Sequence, residues 1–228
     1  WPSLICQLYD HFFEYTASFF AAKKTCRPVH IFWDALTNTI NIANNTLHPL
    51  KNITAKAVVY DANGQALWEK SMTTDVGTGL AKPCFELEYP SSARVNFLKL
   101  YLEAEGKPIG DNFYWLENKS GNCLDLNNLP DAEINMAVNA EIQDGFYIAE
   151  ITLRNTSSSV SLLNKIKLKE KGSGESILPV FFDDSYVSLL PGENKTIHLR
   201  VDEKLLGNKE IEMHLEGWNT KSGKLKIN

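Results

Sequence analysis

The apolar period of the chain changes at residue 28, and that change limits what the chain can fold into. In the opening stretch, Leu4, Ile5, Leu8, Phe12, Tyr15 and Phe19 recur at intervals of three and four, the period of one helix face. Pro2 and Ser3 suit a helix start, Thr16 suits the cap of a second helix through Phe19 to Lys24, and Pro28 ends the helical stretch. From Val29 the period is two. Short β-rich runs follow at Val29 to Asp34, Thr39 to Ile42, Ala55 to Tyr60, Ala66 to Met72, Phe85 to Leu87, Phe97 to Leu102 and Asn112 to Leu116. Turn signals such as Asp61-Ala62-Asn63-Gly64 and Gly77-Thr78-Gly79 separate them. Seven short strands without intervening helices predict an immunoglobulin-like sandwich.

A polar stretch from Asn118 to Pro130 reads as a linker, after which the strand pattern restarts and runs from Ile134 to Ile227. The expected organisation is a helical segment over 1–27, a first sandwich over 28–120, a linker over 121–130 and a second sandwich over 131–228. The fold class is mainly β. No short motif shared by the two sandwiches stands out, so they are read as similar architecture and not as a sequence repeat.

Composition removes several classes of function. With 23 Lys and Arg against 28 Asp and Glu, the net charge is −5, and no dense basic run is present to hold phosphates. Nucleic acid is therefore not an expected partner. The greasiest segment, Phe12 to Ala22, is broken by Glu14 and bounded by Lys23 and Lys24, so no membrane span is expected. The chain opens on Trp1 and reads as a piece of something longer, which leaves the question of a leader peptide open. A secreted or periplasmic location is favoured.

The search for chemistry returns little. The four cysteines, Cys6, Cys26, Cys84 and Cys123, fit neither a metal knuckle nor a dense disulfide framework, and read as buried or incidental thiols, with one oxidised pair as the alternative. Each of the five histidines stands without a second ligand at metal spacing, so no metal and no cofactor is expected. Asp183-Asp184 are neighbours and in a strand would point to opposite faces, which favours a turn or cap over calcium binding. Five Asn-x-Ser/Thr sequences begin at Asn44, Asn52, Asn118, Asn155 and Asn194; glycosylation and chance both remain open for them. Trp33, Trp68, Trp115 and Trp218 lie in or beside strands and read as core before sugar platforms.

Two stretches carry a resemblance. Trp1, Pro2, Ser3, Leu8, Tyr9 and Asp10 match a W-P-S-x-x-W-x-L-Y-D-Y-Y segment, and Phe20, Lys23, Lys24, Cys26, Pro28 and His30 match a Y-F-x-x-K-K-A-C-E-P-L-H segment. The stretch Ile177 to Glu193 matches the form P-x-x-x-x-D-N-Y-F-x-L-x-P-G-E. In this order they resemble the C-terminal region of glycoside hydrolase family 2, in the branch of β-mannosidases, mannosylglycoprotein endo-β-mannosidases and exo-β-glucosaminidases. Cys6 departs from the usual Trp and Arg27 from a common acidic residue.

The resemblance implies that residues 1–27 are the helical end of a (β/α)₈ barrel and that the two sandwiches are the Ig-like domains behind it. Enzymes of this kind are retaining β-glycosidases that use one Glu as acid/base and another as nucleophile, about 5 Å apart. Both would lie upstream of Trp1, so neither Glu14 nor Glu86 is assigned a catalytic role and no catalytic residue is expected in the chain. Trp1, on a loop that would open onto the barrel face, is the one candidate substrate-binding residue. The implied partners are the missing catalytic barrel, seated on the apolar face of Leu4, Leu8, Phe12, Phe13, Phe19 and Phe20, and a carbohydrate substrate. The competing readings are a stand-alone tandem Ig-like module that binds carbohydrate or protein, and a separately maturing subunit of a processed hydrolase.

Overall fold

The computed structural model describes residues 7–89 and 92–227, which form two compact units: residues 23–129, and residues 7–22 together with residues 130–227. Each unit contains a sandwich of two antiparallel sheets. In the first, β1 (Val29–Asp34), β2 (Thr39–Asn44) and β5 (Leu80–Glu86) pair in the order β1-β2-β5. The opposing sheet has β3 (Leu50–Tyr60), β4 (Ala66–Val76), β6 (Asn96–Ala104) and β7 (Lys107–Leu116) in the order β4-β3-β6-β7.

Strand alternation sends one set of side chains inward from each sheet. Ile31, Ile40 and Ile42 meet Ala55, Ala57, Val59, Leu98, Leu100 and Leu102, all buried. Each fully buried Leu or Ile contributes roughly 1.5–3 kcal/mol. Trp33 and Trp68 pack half-buried against the margin of this core, Trp33 edge-on to Tyr114.

In the second sandwich, β8 (Ile134–Gln143), β9 (Phe146–Asn155), β11 (Phe181–Phe182) and β13 (Asn194–Asp202) pair in the order β11-β13-β9-β8. The facing sheet orders β10 (Ser161–Glu170), β12 (Val187–Leu189), β14 (Ile211–Glu216) and β15 (Gly223–Ile227) as β12-β10-β14-β15. Ile151, Leu153, Ile197, Leu199 and Val201 face Ile166, Leu168, Met213 and Leu215 across the interior. A short helix, Glu203–Leu206, follows β13, capped by the Asp202 side chain accepting from the Lys204 N–H.

Three stretches differ from the sequence expectation. Residues 7–16 are not helical: the Asp10 carboxylate accepts from the N–H groups of Phe12 and Glu14, each at 2.9 Å, Phe13 takes a φ of 62°, and Tyr9 bridges back to Tyr15. A short Asp side chain competes with the helical backbone for its own N–H groups, and here it wins. The helix itself, α1 (Ala17–Thr25), begins after Thr16, yet the Thr16 hydroxyl donates back to the carbonyls of Gln7 and Leu8 instead of capping it. The polar stretch expected as a linker holds a 3₁₀ turn, Leu124–Asn128, with Leu126 buried and the Asp125 carboxylate accepting from Val95 N–H and the Asn118 amide. Its polar side chains are spent on internal hydrogen bonds, so low apolar content does not make it an open connection.

Candidate functional site

The segment of residues 7–22 folds as a strap on the second sandwich, more than a hundred residues away in sequence, and the fastening is both apolar and ionic. Phe20 is buried in the sandwich core, with Tyr15 and Phe19 edge-on to it at 5.7 and 5.1 Å. The Tyr186 hydroxyl donates to the Tyr15 carbonyl at 3.1 Å. Beside this cluster the Glu14 carboxylate meets Lys165 at 3.0 Å, Lys167 at 3.1 Å and the Ser176 hydroxyl at 2.5 Å. Lys165 also lies over the Tyr186 ring, 5.4 Å from its centre.

Burial of Glu14 pushes its pKa upward, but the hydrogen bonds from Ser176 and Lys165 and the charges of Lys165 and Lys167 outweigh that and hold it at about 2. Lys165 moves the other way: burial lowers its pKa, but its bonds to Tyr186 and Glu14 outweigh that and raise it. Both partners stay charged. A carboxyl held this low has no proton to donate, and it faces two ammonium groups instead of a second carboxylate, so Glu14 cannot serve as the acid of a glycosidase pair. Glu86 is exposed on the first sandwich.

The side of the strap turned away from the sandwich is open. Leu8, Tyr9, Phe12 and Phe13 stay exposed, Phe13 at 75% and Phe12 at 68%. With Tyr15, Leu178, Pro179, Val180 and Phe181, the rings of Tyr9 and Phe13 line an apolar hollow of about 480 Å³. Phe181, on β11, is itself 56% exposed. Patches of this kind mark interaction sites on folded proteins. The expected apolar face therefore splits: Phe19 and Phe20 turn into the second sandwich, while Leu8, Phe12 and Phe13 remain outside.

Trp1 and Leu4 lie outside the described residues. The other candidates are dispersed. Asp183 accepts from the backbone N–H and ring of His198, both at 2.8 Å, while buried Asp184 accepts from Ser185 N–H and lies 3.3 Å from Lys195. The two carboxylates go to different partners, as expected for neighbours in a turn. Among the described residues no three His, Cys, Asp or Glu side chains gather into a metal site. Trp115 and Trp218 are exposed, one on each unit.

The Lys pair had a readable signal. Lys165 and Lys167 sit two apart on β10, alternating with inward Ile166 and Leu168, and so share one face that needs an acid. Which acid supplies it was not readable, because Glu14 is 151 residues from Lys165.

Comparison with known proteins bears on both sandwiches. Residues 38–119 match the mannosidase Ig/CBM-like domain, and residues 112–220 match the exo-β-D-glucosaminidase Ig-fold domain. An exo-β-D-glucosaminidase from Amycolatopsis orientalis is 25% identical, the match covering 96% of this chain and 24% of the relative. A mannosylglycoprotein endo-β-mannosidase from Lilium longiflorum is 24% identical over 96% of this chain and 30% of its own length. The crystal structure of the exo-chitosanase from Amycolatopsis orientalis superposes on all of this chain with a TM-score of 0.89 at 25% identity, and the match takes up 30% of that chain. A β-D-mannosidase from Dictyoglomus thermophilum shares the fold, with a TM-score of 0.65 at 17% identity. The chain spans between a quarter and a third of the length of these relatives.

Proposed function

We propose that the two sandwiches, which match the Ig-fold domains of exo-β-glucosaminidases and mannosidases, form the non-catalytic scaffold of a retaining β-glycosidase of glycoside hydrolase family 2 acting on β-linked amino sugar or mannose oligosaccharides. The catalytic barrel is the partner, and the open face of the strap is its seat. One observation carries this reading: the strap is fastened to the second sandwich through Phe20 and Glu14, while its Leu8, Phe12 and Phe13 stay exposed, as does Phe181 of β11, which lines the same hollow as Phe13. A single chain segment thus has one apolar side satisfied and one unsatisfied, which suits a joint between two bodies. The strap is read as the segment that leaves the barrel, irregular over residues 7–16 and helical only from Ala17, with Trp1 near the substrate.

The relatives are glycosidases several times longer than this chain, which supports a missing catalytic domain. The carboxylates of the chain support the same division of labour, since Glu14 is committed to two lysines. The test is direct. The chain alone, incubated with aryl β-mannoside and aryl β-glucosaminide, is expected to release no aryl alcohol above the buffer rate, whereas the full-length enzyme turns over at least one of the two. Turnover by the chain alone would overturn the proposal.

A further inference from the structure

The five Asn-x-Ser/Thr sequences play no part in the proposed scaffold role, and the fold sorts them into unlike groups. Asn44 and Asn155 are both 0% exposed. The Asn44 Oδ1 accepts from the N–H and hydroxyl of Thr46 at 3.0 and 2.7 Å, and its Nδ2 donates to the carbonyls of His48 and Gly77 at 2.9 and 3.0 Å. Asn155 repeats the pattern with the N–H and hydroxyl of Ser157 at 3.0 and 2.6 Å, and with the carbonyls of Ser159 and Leu189 at 2.8 and 3.0 Å. In both, the hydroxyl that a glycosylating enzyme would read is already bound to the Asn side chain, and both amide hydrogens are engaged.

Asn52 and Asn194 are the opposite case. Both are exposed, and among the described residues neither side-chain amide makes a hydrogen bond. Asn52 sits with a φ of 51° where the β3–β4 register shifts between Leu50 and Ile53, its backbone N–H held by the Asp75 carboxylate at 3.0 Å. Asn194 opens β13 behind the Pro191-Gly192 turn, and Thr196 is exposed beside it. Asn118 falls between the groups: it is half-buried, with its amide shared between Asn122 and Asp125, each at 3.2 Å.

We infer that the folded chain presents two N-glycan acceptor sites, Asn52 and Asn194, and that the sequons at Asn44 and Asn155 serve the fold and are closed to modification. The donor class is a lipid-linked oligosaccharide diphosphate. The amide Nδ2 forms a bond to the anomeric carbon, the bond from that carbon to the diphosphate oxygen breaks, the lipid diphosphate leaves with the electron pair, and the amide proton passes to a base of the transferase. A sugar on Asn44 or Asn155 would displace the carbonyl hydrogen bonds of a fully buried amide, at about 1–3 kcal/mol for each buried group left unpaired.

The experiment is secretion of the full-length protein from a eukaryotic host, followed by enzymatic deglycosylation in heavy-oxygen water and peptide mapping. Label is expected at Asn52 and Asn194 and absent at Asn44 and Asn155, with occupancy at Asn118 lower than at the two open sites. N52Q and N194Q are each expected to remove one glycan step on a gel. Label at Asn44 or Asn155 in the folded, secreted protein would overturn the inference, as would bare Asn52 and Asn194. The mapping is done on the unsubstituted protein, so the part Asn44 and Asn155 play in folding does not confound it.

Discussion

The two sandwiches share a corner and differ in what else they need. Each turns from one sheet to the other through a buried Asn, from β2 to β3 at Asn44 and from β9 to β10 at Asn155. In each, the side-chain oxygen binds the residue two ahead, and the amide binds the carbonyl four ahead. The amide then reaches the end of the strand that pairs with the next strand, at Gly77 after β4 and at Leu189 in β12. The corner is built from local Asx geometry with one remote acceptor, and the local part repeats because the physics of a short amide side chain repeats. The second sandwich alone also takes in a segment from far upstream, with Phe20 in its core and Glu14 between its lysines. One domain is closed by its own β-run, the other by a borrowed strap.

The largest effects are expected at the shared corner. Asn155→Ala strands two buried carbonyls, at about 1–3 kcal/mol per group, which sums to about 4 kcal/mol, whereas Asn44→Ala strands two part-buried ones and should cost somewhat less. Urea unfolding followed by two-transition fits should show the first substitution lowering only the transition of the first unit and the second only that of the other. A difference above about 2 kcal/mol between them would break the equivalence of the corners. Asn→Asp at either position keeps the accepting oxygen but turns a second, charged oxygen onto the two carbonyls in a buried site, so at neutral pH it should cost at least as much as Ala.

Next comes the feature that only the second unit has. Glu14→Gln leaves the poorly hydrated Lys165 ammonium facing a neutral amide, while Lys167 keeps Glu216 at 3.1 Å. Breaking a buried pair costs about 3–5 kcal/mol, and the partial exposure of these side chains reduces that to about 2 kcal/mol. Only the second transition should move. Equal movement of both would show that the strap is not particular to the second sandwich.

The same residue sets a pH signature. In the fold the Glu14 pKa is about 2, against 4.5 for a free carboxyl, so the folded state binds fewer protons through this window. Its contribution is complete above the unfolded value and disappears as the pH falls towards the folded one. Acid titration of the second transition should therefore steepen below pH 4.5 in the wild type and flatten in Glu14→Gln. An unchanged profile in the variant would assign the acid response to other carboxylates.

How much of this was readable depends on whether the cause was local. The strands were readable because Leu98, Leu100 and Leu102, or Ile197, Leu199 and Val201, announce a buried face by alternation alone. The apolar strap face was readable too, as a set of exposed rings without an address. Its fastening was not, since Glu14, Lys165 and Ser176 meet only after the second sandwich has folded. The shared corner escaped for a different reason: Asn44-x-Thr46 and Asn155-x-Ser157 resemble glycosylation sequons, and the two functions of that triplet differ only in burial. The apolar period predicts a helix over residues 7–16, and the Asp10 side chain prevents it by binding its own backbone N–H groups.

The smallest effect in the isolated chain should come from Phe13, and that makes it the most telling residue of the strap. Phe20, buried on the inner side, is a core residue whose truncation to Ala should cost about 3–5 kcal/mol. Phe13, 75% exposed, touches only the rim of the hollow. Phe13→Ser should leave the second transition of the isolated chain within about 0.5 kcal/mol of wild type. On the proposed seating, the same substitution in the full-length protein should lower the melting temperature measurably, because there the ring would lose a cover that the isolated chain lacks. If Phe13→Ser is silent in both, the outer face of the strap is not the seat of the catalytic domain, and the contrast between its two sides has no part in joining the sandwiches to anything else.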